Sequence, residues 1–202
     1  MIGYLFGSIP TGVWVGKIFR GIDIREQGSK STGATNVYRV LGIRLAIVVL
    51  LIDIAKGFFA AYLGSKIYLG DTLLSPNQLA MIAGILAIVG HLFPLFAGFH
   101  GGKGVATGAG MLLFLAPLEV AFALVIFIVT VALTRYVSLG SILAALFFAL
   151  SILIQKYLSH YPLGNEIIGL SLLILVLILY THRANIRRLI QGTENKLGAK
   201  KT

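Results

Sequence analysis

The sequence predicts an all-α, polytopic integral membrane protein with about seven transmembrane helices, two of them short and joined in a hairpin around Pro117. Three observations support this fold class. Hydrophobic residues make up 57% and charged residues 12% of the 202 residues. The mean hydropathy is +0.93, outside the balance of a soluble domain. Apolar runs recur at roughly the 20-residue length that crosses a bilayer. We therefore expect one transmembrane domain, residues 1–202.

The first apolar run covers residues 1–19 and carries glycines in pairs spaced four apart. These are Gly3 with Gly7 and Gly12 with Gly16, a spacing that lets helices pack closely. The run lacks the basic start of a signal peptide, so it predicts a retained helix. Spans two and three are predicted at 45–64 and 78–97. The nearly neutral loop between them, 71–77, indicates the outer side of the membrane.

Residues 105–134 are apolar throughout and, at about 45 Å of helix, too long for one upright crossing. Pro117 and Glu119 lie near the middle and predict two short helices that turn at the outer surface. A single tilted or kinked helix is the alternative. Further spans are predicted at 137–157 and 166–181. A single crossing at 105–134 would leave the basic tail outside, so we favour the hairpin.

The formal charge of +10 is concentrated in two segments that border apolar spans. Each segment holds six basic residues: Lys17, Arg20, Arg25, Lys30, Arg39 and Arg44 in the first, and Arg183, Arg187, Arg188, Lys196, Lys200 and Lys201 in the tail. This juxtamembrane placement favours the positive-inside rule over nucleic acid binding, so we expect no nucleic acid partner. It predicts an outer amino terminus and a cytoplasmic carboxyl terminus. Three polar segments, 20–44, 98–107 and 182–202, then share the cytoplasmic face.

The first polar segment combines glycines, hydroxyls and a guanidinium in a pattern suited to an oxyanion. Residues 28–36 read GSKSTGATN, and Arg39 follows. Backbone N–H groups, the hydroxyls of Ser29 and Thr35, the amide of Asn36 and the planar fork of Arg39 are all candidate phosphate ligands. The alternative is an ordinary loop that caps the next helix.

The second polar segment places a lysine among glycines just before a helix. It reads GFHGGKGVATG from Gly98, with Gly101, Gly102, Lys103 and Gly104 at its centre. Backbone amides, the helix dipole and the ammonium predict a phosphate site there. Because Gly104 stands where a Walker A loop needs Ser or Thr after the lysine, nucleotide hydrolysis by that route is disfavoured. A tight re-entrant turn is the alternative.

The third polar segment begins where the last span leaves the membrane. His182 and Asn185 are three apart and share a helix face. His182 is a candidate base, a candidate donor to an anion, or an interfacial side chain.

Other polar residues lie inside the predicted spans. His91, near the inner end of the third span, is predicted to support the site by packing and hydrogen bonding, with direct catalysis as the alternative. Asp53 and Lys56 are three apart in the second span, where they are expected to pair, and the alternative is that they line a substrate path. The chain has no cysteine, and its four histidines have no partner at metal-site spacing. We therefore expect neither a cofactor nor a tightly bound metal.

Four motifs in order resemble the acyl-phosphate:glycerol-3-phosphate acyltransferase family of bacteria over nearly the whole chain. They are GSIPTGVWVGK, GSKSTGATNVYR, GHLFPLFAGFHGGKGVAT and HRANIRRLIQGTEN. The resemblance implies a phospholipid biosynthesis enzyme of the cell inner membrane with its site facing the cytoplasm. It would move an acyl group from acyl phosphate to the 1-hydroxyl of glycerol 3-phosphate, giving lysophosphatidic acid and inorganic phosphate. The implied partners are these two substrates and the lipid bilayer, and an upstream enzyme that forms acyl phosphate is a further candidate.

The resemblance also implies roles for individual residues. Ser29 and Arg39 match the essential serine and arginine of the first motif, and Gly101 to Gly104 match the glycerol-phosphate loop. His182, Asn185 and Glu194 match the third motif, with Glu194 as a supporting residue. The family more often has glycine and asparagine where this chain has Lys30 and Ser31. Because Ser31 and Thr32 add hydroxyls beside Ser29, the three are alternatives for the key hydroxyl.

A direct transfer without an acyl-enzyme intermediate fits these residues, because acyl phosphate is already activated. The HxxxxD pair of many acyl-CoA-dependent enzymes is absent after all four histidines, which favours acyl phosphate as donor. The main alternative function is a phosphate or organophosphate transporter, whose glycine-broken helices and basic residues around a midplane cavity would give a similar composition. The placement of the polar motifs at helix ends on one side argues against it.

Overall fold

We describe the protein from a computed structural model that covers residues 1–67, 74–158 and 164–198. Ten α-helices lie in these ranges: α1 (Ile2–Gly7), α2 (Thr11–Arg20), α3 (Ala34–Leu41), α4 (Ile43–Lys66), α5 (Pro76–Leu92), α6 (Val105–Leu115), α7 (Pro117–Thr134), α8 (Val137–Tyr157), α9 (Asn165–Thr181) and α10 (Arg183–Ile190). Two short 3-10 helices occupy Ile24–Glu26 and Leu95–Ala97. Part of the predicted outer loop, and Lys200 and Lys201 of the tail, lie outside the described residues.

Several of these helices have the length and apolarity to cross a membrane. Four do so individually: α4, α5 extended through Ala97, α7 and α8. A fifth is added when α9 and α10, which meet at 62°, are taken as one broken span. The prediction of an all-α, multi-pass membrane protein is confirmed. The count of seven crossings stays a prediction.

The first span is broken, contrary to the single helix predicted over residues 1–19. Helix α1 ends at Gly7 and α2 begins at Thr11. Pro10 precedes α2 with ψ of 68°, and its ring and missing N–H are incompatible with a continuous helix. The glycines do serve close packing, as predicted. A Cβ on Gly3 or Gly7 would overlap the carbonyl oxygen of Ala83 or Ala87 on α5.

The long apolar run at 105–134 divides where predicted. Ala116 leaves the helical region at φ −148° and ψ 66°, and Pro117 starts α7. Helix α6 has 11 residues and is short. Helix α7 has 18 residues and is long and apolar enough to cross a membrane, so it is longer than the short helix predicted. The antiparallel hairpin itself stays a prediction.

The chain forms two compact units, the first covering Met1–Leu115 and the second beginning at Ala116. In the first unit α4 packs against α1, α3, α5 and α6. In the second unit α8 packs against α7 and α9. The prediction of one domain over residues 1–202 stays a prediction.

Candidate active site

The first polar segment is a compact loop between α2 and α3, built around one buried amide. Asn36 on α3 is 1% exposed. Its Nδ2 donates to the backbone carbonyls of Ile24, Gln27 and Ser31 at 3.0, 3.1 and 2.9 Å. Its Oδ1 accepts the backbone N–H of Ser29 at 2.7 Å. The two amide N–H groups are thus directed at the protein backbone, which indicates a supporting role for Asn36. The predicted phosphate contact of Asn36 stays a prediction.

The other predicted residues of this segment lie around the exterior of the loop. Ser29 is exposed, and Thr35 and Arg39 are half-buried on α3. Thr35 and Arg39 are four apart, so they share one face of that helix. Lys30 adopts the left-handed conformation at φ 59°, which glycine enters without the Cβ penalty. This backbone geometry would suit a glycine at this position better than a lysine.

Arg25 connects the first polar segment to the second. Its Nη1 donates to the carbonyl of Ala97 at 2.7 Å, and its Nε and Nη2 donate to the two carboxylate oxygens of Asp23 at 3.0 and 2.7 Å. The side-chain hydrogen bond from Arg25 lowers the pKa of Asp23 to about 2, against the opposing effect of burial. Sequence reasoning counted Arg25 only among the basic residues. The spacing Asp-x-Arg could have indicated the ion pair with Asp23. Nothing in the local sequence indicates the hydrogen bond to Ala97, which is 72 residues away.

The second polar segment folds back onto the end of α5. Gly98 and Phe99 both adopt the left-handed conformation, at φ 61° and 62°, and the chain returns so that the N–H of Gly102 donates to the carbonyl of His91 at 3.1 Å. Gly104, at φ 79°, leads into α6. Lys103 is half-buried and directly precedes this turn. The arrangement sets a lysine beside the amino-terminal backbone of a helix, where anions are favoured.

Gly102 lies directly against the imidazole of His91. A Cβ at this position would overlap Nε2 of that ring, and a Cβ at Gly101 would overlap the backbone carbonyl oxygen of His91. The glycines therefore let the loop approach α5 closely. The predicted supporting role of His91 fits this contact.

A buried ion pair lies on the other side of His91. Nζ of Lys56 is 2.8 Å from Oδ1 of Asp53, and both side chains are at most 3% exposed. The same carboxylate oxygen accepts the hydroxyl of Thr11 at 3.2 Å and is 3.7 Å from Nδ1 of His91. The predicted pairing of Asp53 with Lys56 is confirmed. These four side chains, with Thr32 of the first polar segment, line one narrow crevice in the first unit.

The third polar segment lies in the second unit, at the bend between α9 and α10. His182 is 2% exposed, and its Nδ1 lies 2.9 Å from the carbonyl of Ile178. Because a carbonyl only accepts, Nδ1 is the ring nitrogen that carries the proton of this bond, and Nε2 is the nitrogen whose proton distinguishes the charged ring from the neutral one. Asn185, 7% exposed, follows one turn later.

Glu194 forms hydrogen bonds that connect the segment after α10 to this bend. Its carboxylate accepts from Nδ2 of Asn185 at 2.7 Å, Nε of Arg188 at 2.6 Å and the hydroxyl of Ser138 on α8 at 3.0 Å. Burial raises the pKa of Glu194, but the hydrogen bonds from Asn185, Arg188 and Ser138 outweigh it, and the net pKa is lowered. This geometry fits the supporting role predicted for Glu194.

Two of the three predicted segments are thus held together within the first unit, by Arg25 and by the crevice. The meeting of the third segment with these two stays a prediction from the sequence. Among residues 1–67, 74–158 and 164–198, no group of three His, Cys, Asp or Glu side chains is arranged to hold a metal ion.

Comparisons with known proteins give one consistent result. A family model described as glycerol-3-phosphate acyltransferase matches residues 1–192. The glycerol-3-phosphate acyltransferase of Chlorobaculum tepidum is 44% identical over 98% of this chain and 94% of its own length. That of Fusobacterium nucleatum is 46% identical over 97% of this chain and 95% of its own length.

Two solved structures are also similar. The glycerol 3-phosphate form of PlsY, an integral membrane glycerol 3-phosphate acyltransferase, has a TM-score of 0.84 and 35% identity, over 97% of this chain and 92% of that one. Its lysophosphatidic acid form has a TM-score of 0.82 and 34% identity, over 98% and 92%.

Proposed function

The chain belongs to the glycerol-3-phosphate acyltransferase family, and we propose that it acylates the 1-hydroxyl of glycerol 3-phosphate with acyl phosphate as donor. The observation that carries this is the match of the family over residues 1–192. In the reaction an ester bond forms between the 1-oxygen and the acyl carbonyl carbon. The bond from that carbon to the phosphate oxygen breaks, and the hydroxyl proton leaves with the phosphate or with a base. The products are lysophosphatidic acid and inorganic phosphate, so the enzyme serves phospholipid biosynthesis.

The glycine loop, residues 101–104, binds the phosphate of glycerol 3-phosphate in this proposal. Its support is the left-handed turn at Gly104, the start of α6 at Val105, and Lys103 beside both. Backbone amides and an ammonium at a helix start favour a dianion over a neutral ligand. Gly101 and Gly102 keep the loop close to His91, which defines where its amides lie.

Ser29 and Arg39 engage the acyl phosphate or the oxyanion that develops on its carbonyl. Their support is the position of Ser29 in the loop that Asn36 organises, and of Arg39 on α3 one turn after Asn36. Arg25 links this loop to Ala97, which directly precedes the second polar segment. A guanidinium offers a planar fork that matches phosphate oxygens, and a hydroxyl adds a donor. Thr35, on the same face of α3 as Arg39, is the further ligand from this segment.

His182 and Asn185 orient the glycerol backbone in the proposed mechanism. With Nδ1 of His182 directed at the carbonyl of Ile178, Nε2 is the ring atom that can accept a proton. A phosphate oxygen of a substrate is the competing acceptor. Transfer is direct, because the protein needs only to align the hydroxyl with an already activated carbonyl and stabilise developing charge.

The assay that tests the proposal uses purified protein, acyl phosphate and labelled glycerol 3-phosphate. We expect labelled lysophosphatidic acid from the wild type and at least a roughly hundredfold loss in Lys103→Ala, Ser29→Ala and His182→Ala. Lys66→Ala, a change at an exposed lysine of α4, is the matched control and keeps activity. Full activity in folded Lys103→Ala and Ser29→Ala would remove the phosphate assignments. Isolation of an acylated Ser29 would replace direct transfer by a two-step mechanism.

We also propose that the protein resides in the bacterial cytoplasmic membrane, with its site facing the cytoplasm, its amino terminus outside and its carboxyl terminus inside. The basic residues of 17–44 and 183–201 support this orientation through the positive-inside rule. Because the chain has no cysteine, single introduced cysteines report sidedness. Asn77→Cys should react with an impermeant maleimide in intact cells, and Glu26→Cys only after permeabilisation. The reverse pattern would invert the topology.

A further inference from the structure

Three polar side chains of the first unit surround the carboxylate of Asp53. It is 2% exposed, pairs with Nζ of Lys56 at 2.8 Å and accepts the hydroxyl of Thr11 at 3.2 Å, and Nδ1 of His91 lies near it at 3.7 Å. The ammonium of Lys56 also donates to the carbonyl of Ile9 at 3.2 Å. A buried ion pair adds little to stability, since apolar replacements are often neutral or stabilising. Ionisable groups within membrane spans usually serve a function, because placing them in the bilayer is costly.

The cluster of Asp53, Lys56, Thr11 and His91 contacts both the first and the second polar segment. His91 presents Nδ1 to Asp53 and Nε2 to Gly102, so the imidazole lies between the carboxylate and the glycine loop. Thr32 of the first polar segment lines the same crevice, and its carbonyl oxygen lies where a Cβ on Gly12 of α2 would be. The cluster therefore underlies the loop that carries Lys103 and abuts the loop that carries Ser29.

We propose that Asp53, held by Lys56 and Thr11, is a positioning residue that orients His91 and through it the glycine loop for glycerol 3-phosphate. This inference rests on the proposed function. The negative carboxylate fixes which ring edge of His91 faces inward. The opposite edge then supports Gly102, whose N–H is bonded to the carbonyl of the same histidine at 3.1 Å. Loss of the carboxylate releases the ring and displaces the amides that bind phosphate.

The decisive variant replaces the pair with apolar residues of similar size, Asp53→Leu together with Lys56→Met. Such a replacement usually preserves folding. We expect a Tm near that of the wild type and a KM for glycerol 3-phosphate raised by at least about tenfold, with a much smaller change in kcat at saturation. A folded double variant with an unchanged KM shows that the pair is only structural and overturns the proposal.

Thr11→Val supplies a second test without changing charge. It removes one hydrogen bond to Asp53 and should raise the same KM about threefold. Thr130→Val, the same change on α7 of the second unit, is the matched control and should leave the KM unchanged. If the double variant does not fold, an unchanged KM in Thr11→Val overturns the proposal.

The two proposals fail in distinguishable ways. An inactive wild-type protein with acyl phosphate and glycerol 3-phosphate would remove the proposed function. An active wild type whose Thr11→Val variant keeps both KM and the calorimetric affinity for glycerol 3-phosphate would remove only the positioning role of Asp53.

Discussion

The side chain of Asn36 holds the backbone of Ser29, since its Oδ1 accepts the Ser29 N–H at 2.7 Å. The same amide donates to three carbonyls of the loop between α2 and α3. One buried side chain thus sets the shape of the segment that carries the proposed catalytic hydroxyl.

Asn36→Ala should lower the free energy of unfolding by about 3 kcal/mol, because it leaves several buried backbone groups without partners. Acyl transfer should fall with it, since Ser29 loses its fixed backbone. Thermal denaturation in detergent and the labelled-substrate assay measure the two effects. Asn77→Ala, at an exposed asparagine of α5, controls for the loss of an amide. Wild-type Tm and activity in Asn36→Ala would contradict the organising role.

Gly102→Ala should raise the KM for glycerol 3-phosphate by at least about tenfold, because displacement of a binding group by even 1 Å is costly. The added Cβ would overlap Nε2 of His91, so the glycine loop must shift. Gly169→Ala is the matched control, since nothing lies within 4 Å of the Cβ added there. Initial-rate kinetics on both proteins decide, and equal KM values would show that the loop tolerates the shift.

Lys30→Gly should keep activity and stabilise the protein by up to about 1 kcal/mol, since the native φ of 59° strains a residue with a Cβ. The larger backbone entropy of glycine in the unfolded chain limits the gain. Lys30→Ala removes the same charge but keeps the Cβ, and so isolates the backbone effect. A Tm for Lys30→Gly below that of Lys30→Ala would show that the strain is not relieved.

Glu194→Gln should destabilise the protein by about 2 kcal/mol near neutral pH, the scale of hydrogen bonds to a charged group. The exposure of Arg188 reduces the share of the ion pair. Because the folded pKa of Glu194 lies below the ordinary 4.5, its stabilisation is fully present above that value and is lost as pH falls through the folded pKa.

The Tm difference between wild type and Glu194→Gln should therefore narrow below about pH 4.5. Thermal denaturation at a series of pH values measures this Tm difference. Glu119→Gln, the same change at a second carboxylate of the same unit, is the comparison variant. A difference that stays constant down to acidic pH would show that ionisation of Glu194 contributes nothing.

The long apolar helices were predictable because hydropathy over some 20 residues is a local property of the sequence. The runs predicted at 137–157 and 166–181 correspond to α8 and α9 within one residue at their starts. The break at Pro10 was not predicted, because the apolar run of residues 1–19 and its glycine spacing indicated one continuous helix. That proline was the signal that separates α1 from α2.

The candidate site was predicted in its residue types and less well in their roles. Asn36 has the composition of a phosphate ligand, but its amide is used by carbonyls five to twelve residues away. Arg25 was counted only as a basic residue, and its bond to the carbonyl of Ala97 depends on how two distant loops pack. Neither role follows from local pattern.

By itself the sequence determined the membrane-spanning class, the apolar helices, the polar motifs and the family, because each depends on composition or on residues close together in the chain. Tertiary structure decided which polar side chains form hydrogen bonds and ion pairs within the protein. Hydrogen bonds and ion pairs depend on distances of a few ångströms between residues far apart in sequence. That is why Asn36 supports Ser29, and why Asp53 lies behind His91 and the glycine loop.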